Sequence, residues 1–314
     1  MTDLATPPTH DRRTSPWIVG LVGLIATLAG AAAAAGVFFR GDLATRPFTT
    51  MRGDLVDVLI GGVYRYNGKS IAAEGIGWDA VTLILVVPAA FVALPFLRRG
   101  SVRATLFVTG ILAYFIYQYF EYAMALAYGP LFALYVAIGA ISLTALAVLL
   151  GGLDLAEIGA RVSDRFPRRP MIGFGAFMAV LLGGMWLPLI ATTFDAAQVP
   201  QLNGGTTLVV QAFDLGLLVP LGLLTAATVY RRLPIGYVLS AIVVVKGMAM
   251  GAGIAAMLVV EWSATGVSQL PPIVVFAAIA VVSGVLATRV FRSIGPASSI
   301  TPPPTDRIRV TAPA

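Results

Sequence analysis

Cysteine is absent from this 314-residue chain, histidine occurs once and lysine occurs twice. Without cysteine the chain cannot form disulfides, thiolate nucleophiles or cysteine-ligated metal sites. The single histidine, His10, stands in a terminal segment rich in proline and threonine. We therefore expect no Ser-His-Asp triad, no histidine-ligated zinc site and no haem ligated by histidine within this chain. The sequence also lacks a Walker motif for nucleotide phosphates.

Charged residues are scarce as well: they make up 11% of the chain, against 58% hydrophobic residues and a mean hydropathy of +0.88. Soluble domains carry about 25% charged residues, so this composition predicts an integral membrane protein. Apolar windows of about 20 residues, enough to cross about 30 Å of hydrocarbon, recur along the chain. We predict an all-α, polytopic transmembrane helical bundle of about eight helices. The predicted spans are 17–39, 79–97, 104–127, 131–152, 171–194, 208–230, 234–262 and 271–290.

Arginine placement predicts the orientation of the bundle, because cytoplasmic loops collect Lys and Arg. Arg98, Arg99 and Arg103 share one loop, and Arg231 and Arg232 share another, both on the side that holds the termini. We expect a bacterial-type plasma membrane protein with both termini in the cytoplasm. The first loop, on the outer side, balances its basic residues with acids. This asymmetry accounts for the net charge of +6, so the lipid bilayer is the expected partner and a nucleic acid is not.

Two halves of the chain share a series of features, which predicts two parallel four-helix repeats. Each half has an Asn-Gly pair, at 67–68 and 203–204, followed by an acid, Asp79 or Asp214. Each acid is followed by a proline and then by an Arg-Arg pair. The predicted organisation is a disordered cytoplasmic tail (1–15), a first half (16–152) with an outer loop (40–78), a cytoplasmic interfacial helix and linker (153–169), a second half (170–290) and a second disordered cytoplasmic tail (291–314).

Both long loops contain apolar residues at helical spacing. The stripe in the outer loop consists of Leu55, Val58, Leu59 and Val63, and it predicts a short helix on the membrane interface. The cytoplasmic linker has a similar stripe. There we predict a helix that Pro167 ends, with Glu157 and Arg161 as an i, i+4 ion pair.

Lys246 lies inside a predicted membrane helix that carries no other charge between residues 233 and 260. An ammonium at that depth costs roughly 2.5 to 3.5 kcal/mol, so it should face protein or water and have a partner. At 1.5 Å per residue, Lys246 lies about 18 Å and Glu121 about 25 Å from the inner boundary. We expect Glu121 to be the partner of Lys246 or a proton-coupled carboxylate. Asp79 and Asp214 are expected to begin their helices at the outer boundary.

Five residues of the third predicted helix recur at spacings of three, four and seven and so share one face. They are Tyr114, Tyr117, Gln118, Glu121 and Tyr128. Such a face prefers protein or water to lipid, which predicts a polar interior. Next to Lys246, Gly247 and Gly251 form a Gly-x-x-x-Gly pattern that lets another helix approach closely.

Structural roles are open for the same residues. Lys246 and Glu121 would then be an ion pair that holds helices together, and Asp79 and Asp214 would cap helix N-termini. Phe120-Glu121-Tyr122 resembles the third-helix counterion stretch of heliorhodopsins, and the resemblance implies a retinal Schiff base at Lys246. It covers these few residues. Eight helices, a long first loop and a repeat depart from that family, so we expect no cofactor.

The favoured function is a transporter or binding protein for a small solute or a proton, with a polar cavity in the outer half of the bundle. The candidate ligand or ion-pathway residues are Lys246, Glu121, Gln118, Tyr117, Tyr114, Asp79 and Asp214. One alternative is a structural or assembly protein without a ligand, and another is a membrane-embedded enzyme that acts on lipid. We assign no residue to catalysis, cofactor binding or metal binding, and an enzyme is the less favoured class.

Overall fold

The computed structural model describes residues 13–42, 44–195, 202 and 205–295. The predicted Asn-Gly pair at 203–204 and most of both predicted tails lie outside these residues. The helices are α1 (Pro16–Phe38), α2 (Lys69–Val81), α3 (Val87–Arg98), α4 (Val102–Ala125), α5 (Phe132–Gly151), α6 (Leu155–Arg161), α7 (Arg168–Ala191), α8 (Val209–Phe213), α9 (Val219–Tyr230), α10 (Pro234–Thr265) and α11 (Leu270–Ser293). A short 3-10 turn, Thr192–Phe194, follows α7.

Seven helical segments among the described residues are long and apolar enough to cross a membrane. This confirms an all-α helical bundle and a multi-pass membrane protein. The predicted span at 104–127 corresponds to α4, which is 24 residues long but is not one of the seven. Its tyrosines, glutamine and glutamate lower its mean hydropathy. More than half of its residues are buried, so α4 lies inside the bundle.

Two of the spans contain a π-helical turn that ends two residues before a proline. In the span Lys69–Arg98 the turn is Thr82–Val86, and in the span Val209–Tyr230 it is Asp214–Leu218. Each turn is followed by Val-Pro. Proline has no N–H and its ring collides with the carbonyl four residues earlier, so a local widening of the helix relieves this conflict. The two halves therefore share a structural device as well as a sequence pattern.

The outer loop forms a β-hairpin, so the interfacial helix predicted there is wrong. Strand β1 (Thr45–Thr49) pairs antiparallel with β2 (Leu55–Leu59), in a register that runs from Thr45↔Leu59 to Thr49↔Leu55. The β2 sequence Leu-Val-Asp-Val-Leu has β-branched residues and fits the two-residue period of a strand as well as a helical one. Gly53, at φ +87°, supplies the turn between the strands.

Both candidate aspartates lie within helical spans, and neither begins one. α2 begins at Lys69, ten residues before Asp79, and α8 begins at Val209, five residues before Asp214. The expectation that these acids open their helices, and the capping role that follows from it, are therefore wrong. The polar first turns of α2 do not register as a membrane window, so hydropathy placed that helix start ten residues too late. The second predicted span, 208–230, begins within one residue of the observed helix at Val209, so there only the placement of Asp214 at the helix start was wrong.

The linker helix is confirmed in part. α6 spans Leu155–Arg161, and Arg161 forms the expected ion pair with Glu157. It ends six residues before Pro167. The following residue, Val162, instead forms a β-bridge with Ile294, so tertiary pairing ends the helix before the proline does.

α10 is the longest helix and packs against α2, α4, α9 and α11. Glycines allow these approaches. A Cβ added to Gly77 of α2 would lie 2.3 Å from the Cα of Met257, and one added to Gly251 would lie 2.7 Å from the backbone nitrogen of Ala280 in α11. The Gly-x-x-x-Gly pattern beside Lys246 thus faces a close helix contact, as predicted.

The bundle has two ends, which we name by the structures they carry. The hairpin end carries β1 and β2, and the α6 end carries α6 and the Arg-Arg pairs. At the α6 end, hydrogen bonds tie the end of α11 to the first half and to the linker: the Arg103 Nε donates to the carbonyl of Ile294 over 2.7 Å, and the Ser163 N–H donates to the carbonyl of Ser293 over 2.9 Å.

Candidate functional site

Lys246 is buried, with 5% of its surface exposed, and its ammonium is held by uncharged groups. The Nζ atom lies 3.6 Å from the ring centroid of Tyr117 and 2.8 Å from the Sδ atom of Met250. Among the described residues it forms no ion pair within 4.0 Å with Glu121 or any other carboxylate. Asp214 and Glu121 nevertheless lie within electrostatic range of it. A cation–π contact of this kind, shielded from water, is worth about 2 kcal/mol.

Asp214 is buried and accepts two hydrogen bonds. Its Oδ1 accepts from the Tyr117 hydroxyl over 2.6 Å, and its Oδ2 accepts from the Trp186 Nε1–H over 2.7 Å. Tyr117 thus contacts both charged groups: its ring faces Lys246 and its hydroxyl binds Asp214. Three helical spans, α4, α8–α9 and α10, meet at this unit. Trp186, on α7, completes it and was not singled out in the sequence.

Asp79 has a separate set of donors on the first half of the chain. Its carboxylate accepts a very short hydrogen bond from the Tyr64 hydroxyl and a longer one, 3.4 Å, from Tyr122. Tyr64 reaches it from the loop after the hairpin. Burial raises the pKa of Tyr64 well above its ordinary value, so its hydroxyl remains a donor at neutral pH. A Cβ added to Gly36 would lie 1.5 Å from Asp79 Oδ2, so α1 leaves room for the carboxylate only through this glycine.

The polar face of α4 is buried for most of its length. Tyr114 shares a 2.6 Å hydrogen bond with Thr82 at the start of the first π turn. Gln118 is 1% exposed, and neither its amide oxygen nor its amide nitrogen has a partner among the described residues. Glu121, one turn further, is partly buried. The prediction that Tyr128 shares this face is wrong, because α4 ends at Ala125 and Tyr128 is 79% exposed.

Two further acids lie between the site and the hairpin end. Glu74 of α2 and Glu261 of α10 lie within electrostatic range of each other, and Glu74 is within range of Glu121. Glu261 accepts a hydrogen bond from the Ser70 hydroxyl. Neither acid was among the predicted site residues, because each stands near a span end where acids are common. Their placement along α2 and α10 becomes apparent only from the packing of these helices.

A cavity of about 50 Å³ borders Lys246 on the side away from α4. It lies between α7, α9, α10 and α11, and its walls are apolar apart from the lysine. They include Phe174, Met178, Leu221, Met250, Phe276 and Ile279. The opening next to Lys246 is therefore mostly apolar, in contrast to the predicted polar cavity.

The charges within the bundle are unequal in number. Within the described spans, Asp79, Asp214 and Glu121 are three buried or partly buried acids, and Lys246 is the one buried ammonium. Lys246 lies within electrostatic range of Asp214 and Glu121, whereas Asp79 is held by Tyr64 and Tyr122. Over the described residues, no three His, Cys, Asp or Glu side chains converge in a way that would hold a metal ion.

Comparison with protein-family models, with curated proteins and with solved structures finds no match to this chain.

Proposed function

We propose that this protein is a proton-coupled transporter of a small solute, with Lys246, Tyr117 and Asp214 at the solute site and Glu121 and Asp79 as proton-carrying carboxylates. The observation that carries the proposal is the excess of acids over bases inside the bundle. Asp79, Asp214 and Glu121 are three acids against one ammonium, which lies within electrostatic range of Asp214 and Glu121 and forms no ion pair with any of the three among the residues that the structure describes.

The number of acids exceeds the number of bases, so the interior carries charge that must be compensated. Uncompensated charge within a membrane protein is expensive and marks ion pathways and proton relays. One ammonium can balance the charge of only one of the three carboxylates, so we propose that protons or a bound solute supply the rest. The unpartnered Gln118 amide stands on the same helix face and offers both a donor and an acceptor to a solute or to water.

The architecture supports the same function. We propose eight crossings, with α4 as the eighth, arranged as two parallel four-helix halves. α4 and α10, the third long helix of each half, are in contact, and both contribute to the site. Transporters commonly place a site between repeats. Each half also has a π turn, a feature that is frequent at functional sites: one begins with Asp214, and the other begins three residues after Asp79.

Orientation follows from charge. The Arg-Arg pairs lie at the α6 end, while the hairpin end mixes acids and bases. We place the α6 end in the cytoplasm and the hairpin end outside a bacterial-type plasma membrane. Glu261 and Glu74 would then line the outer approach to Glu121.

A ligand screen tests the proposal. The purified protein would be heated in detergent with panels of amino acids, organic acids, amines and sugars, alongside Lys246→Met and the control Lys69→Met. Lys69, the other lysine, is exposed at the hairpin end. A true ligand at about a hundred times its Kd stabilises the fold by about 2.7 kcal/mol. We expect such a compound to stabilise the wild type and Lys69→Met, and not Lys246→Met.

The identified compound would then be added to proteoliposomes that contain a pH-sensitive dye. We expect uptake of the compound to change the internal pH. The pH change should persist when the membrane potential is clamped. Uptake without proton movement would contradict coupling. Equal stabilisation of wild type and Lys246→Met would remove Lys246 from the site.

A structural role is the second candidate, and the contacts of Lys246 favour it specifically. Tyr117 and Met250 already hold the ammonium, so Lys246 can brace α10 against α4 without a ligand. This role predicts that Lys246→Met lowers the melting temperature and that no compound stabilises either protein.

A further inference from the structure

A groove of about 890 Å³ lies between α1 and α3 at the α6 end, and its two ends differ in chemistry. Three guanidinium groups border one end, those of Arg13, Arg98 and Arg99. Apolar side chains such as Phe91 and Leu94 form the rest. None of the described residues that line it carries a carboxylate. It is separate from the Lys246 cavity, which lies between other helices.

The local structure places the arginines for binding. Arg98 lies in the last turn of α3, where the helix dipole favours a cation. Arg99 extends beyond the helix, and its guanidinium carbon lies 5.9 Å from the ring centroid of Phe96. Arg98 and Arg99 are both exposed. Their side chains therefore present donors at the level where a membrane span meets the headgroup layer.

The apolar walls continue from these arginines toward the middle of the span. Phe91 is 42% exposed, and Leu94 and Val19 are partly buried. A cationic end with an apolar channel leading into the hydrocarbon matches a molecule with a phosphate at one end and acyl chains at the other. Basic pockets between membrane helices bind anionic headgroups in this way. A free phosphate would use the arginines and leave the channel empty.

We propose that the α1–α3 groove binds an anionic phospholipid, with its phosphate at Arg13, Arg98 and Arg99 and an acyl chain along Val19, Phe91 and Leu94. The bound lipid fills the space between α1 and α3. The site is independent of the transport site, and it remains whether or not the protein moves a solute.

The chain offers a matched control. Arg231 and Arg232 end the span Val209–Tyr230 as Arg98 and Arg99 end the span Lys69–Arg98, and they too are exposed. They do not line this groove. The double variants R98Q/R99Q and R231Q/R232Q therefore remove equal charge from equivalent positions, and only the first removes it from the proposed site.

Native mass spectrometry of the full chain in detergent measures the binding. Phosphatidylglycerol, phosphatidylcholine with the same acyl chains, and glycerol 3-phosphate would be titrated separately. We expect the wild type to bind phosphatidylglycerol at least tenfold more tightly than phosphatidylcholine, and to bind glycerol 3-phosphate negligibly. R98Q/R99Q should weaken phosphatidylglycerol binding about thirty-fold, because each basic residue near a membrane surface contributes a similar attraction to an anionic lipid and the variant removes two of them. R231Q/R232Q should change it less than threefold.

A second variant tests the apolar channel without altering charge. Val19→Trp fills the groove and should weaken phosphatidylglycerol binding about tenfold, and it provides the test if R98Q/R99Q does not fold. Equal losses in the two arginine pairs would show general surface attraction and overturn the proposal. So would equal binding of the two lipids, unchanged binding in Val19→Trp, or binding of glycerol 3-phosphate as tight as that of the lipid.

Discussion

Tyr117 joins the two charged groups of the candidate site, because its ring contacts Lys246 and its hydroxyl binds Asp214. Two substitutions separate these contacts. Tyr117→Phe keeps the ring and removes the donor, which should cost about 1 to 3 kcal/mol because Asp214 loses a buried partner. Tyr117→Leu also removes the cation–π contact, for a further cost of about 0.5 to 2 kcal/mol. Melting temperatures in detergent should fall in the order wild type, Tyr117→Phe, Tyr117→Leu. Equal values for the two variants would show that the ring contact contributes nothing.

Gly36 tests how tightly Asp79 is enclosed. In Gly36→Ala the new methyl group would overlap Asp79 Oδ2, so α1 or the carboxylate must move and the bond from Tyr64 should be strained. We expect a large loss of thermal stability, of the order seen when a packed core is overfilled, about 1 to 3 kcal/mol. Gly20→Ala on the same helix is the control, because nothing lies within 4 Å of its added Cβ. Alanine favours helix over glycine, so the control should be neutral or slightly stabilised.

At the scale of elements, the loop after the hairpin inserts Tyr64 into the bundle. Tyr64 is 1% exposed, packs with Leu59 and Ile76, and donates to Asp79. Tyr64→Phe leaves Asp79 with the bond from Tyr122 alone, so the loop should dock less firmly. Hydrogen exchange across residues 45–66 should become faster than in the wild type. Tyr66→Phe, at an exposed position of the same loop, should leave the exchange unchanged. Similar exchange in both variants would mean that the buried bond does not hold the loop.

At the scale of the whole molecule, the lack of cysteine makes single-cysteine labelling clean. Met51→Cys lies at the hairpin end and Ser163→Cys at the α6 end, and both positions are exposed. Between them run the span Lys69–Arg98, α4 and α5. If α4 crosses the membrane, the two positions lie on opposite sides.

A membrane-impermeant maleimide should therefore label Met51→Cys in intact cells and Ser163→Cys only after permeabilisation. Labelling of both from one side would show that α4 does not cross and that the bundle has seven spans. The reverse pattern would invert the proposed orientation.

Composition and hydropathy are enough to predict a multi-pass helical membrane protein, because an apolar span of about 20 residues has few other stable states. They also identify Lys246 as a costly charge and α4 as a helix with a polar face. Local sequence was misleading where two periods fit equally well, as in the β2 strand, and where a polar first turn hid the start of a span, as before Asp79.

Contacts between distant segments decided the rest. Met250 stands four residues after Lys246 on α10, a spacing that makes the two side chains neighbours. Tyr117 reaches Lys246 from α4, and no spacing along the chain reveals that contact. Trp186 and Tyr64 became donors to the two aspartates through packing across the bundle. Hydrophobic periodicity records which residues avoid water, whereas the partner of a buried charge depends on which helices approach closely enough to supply one.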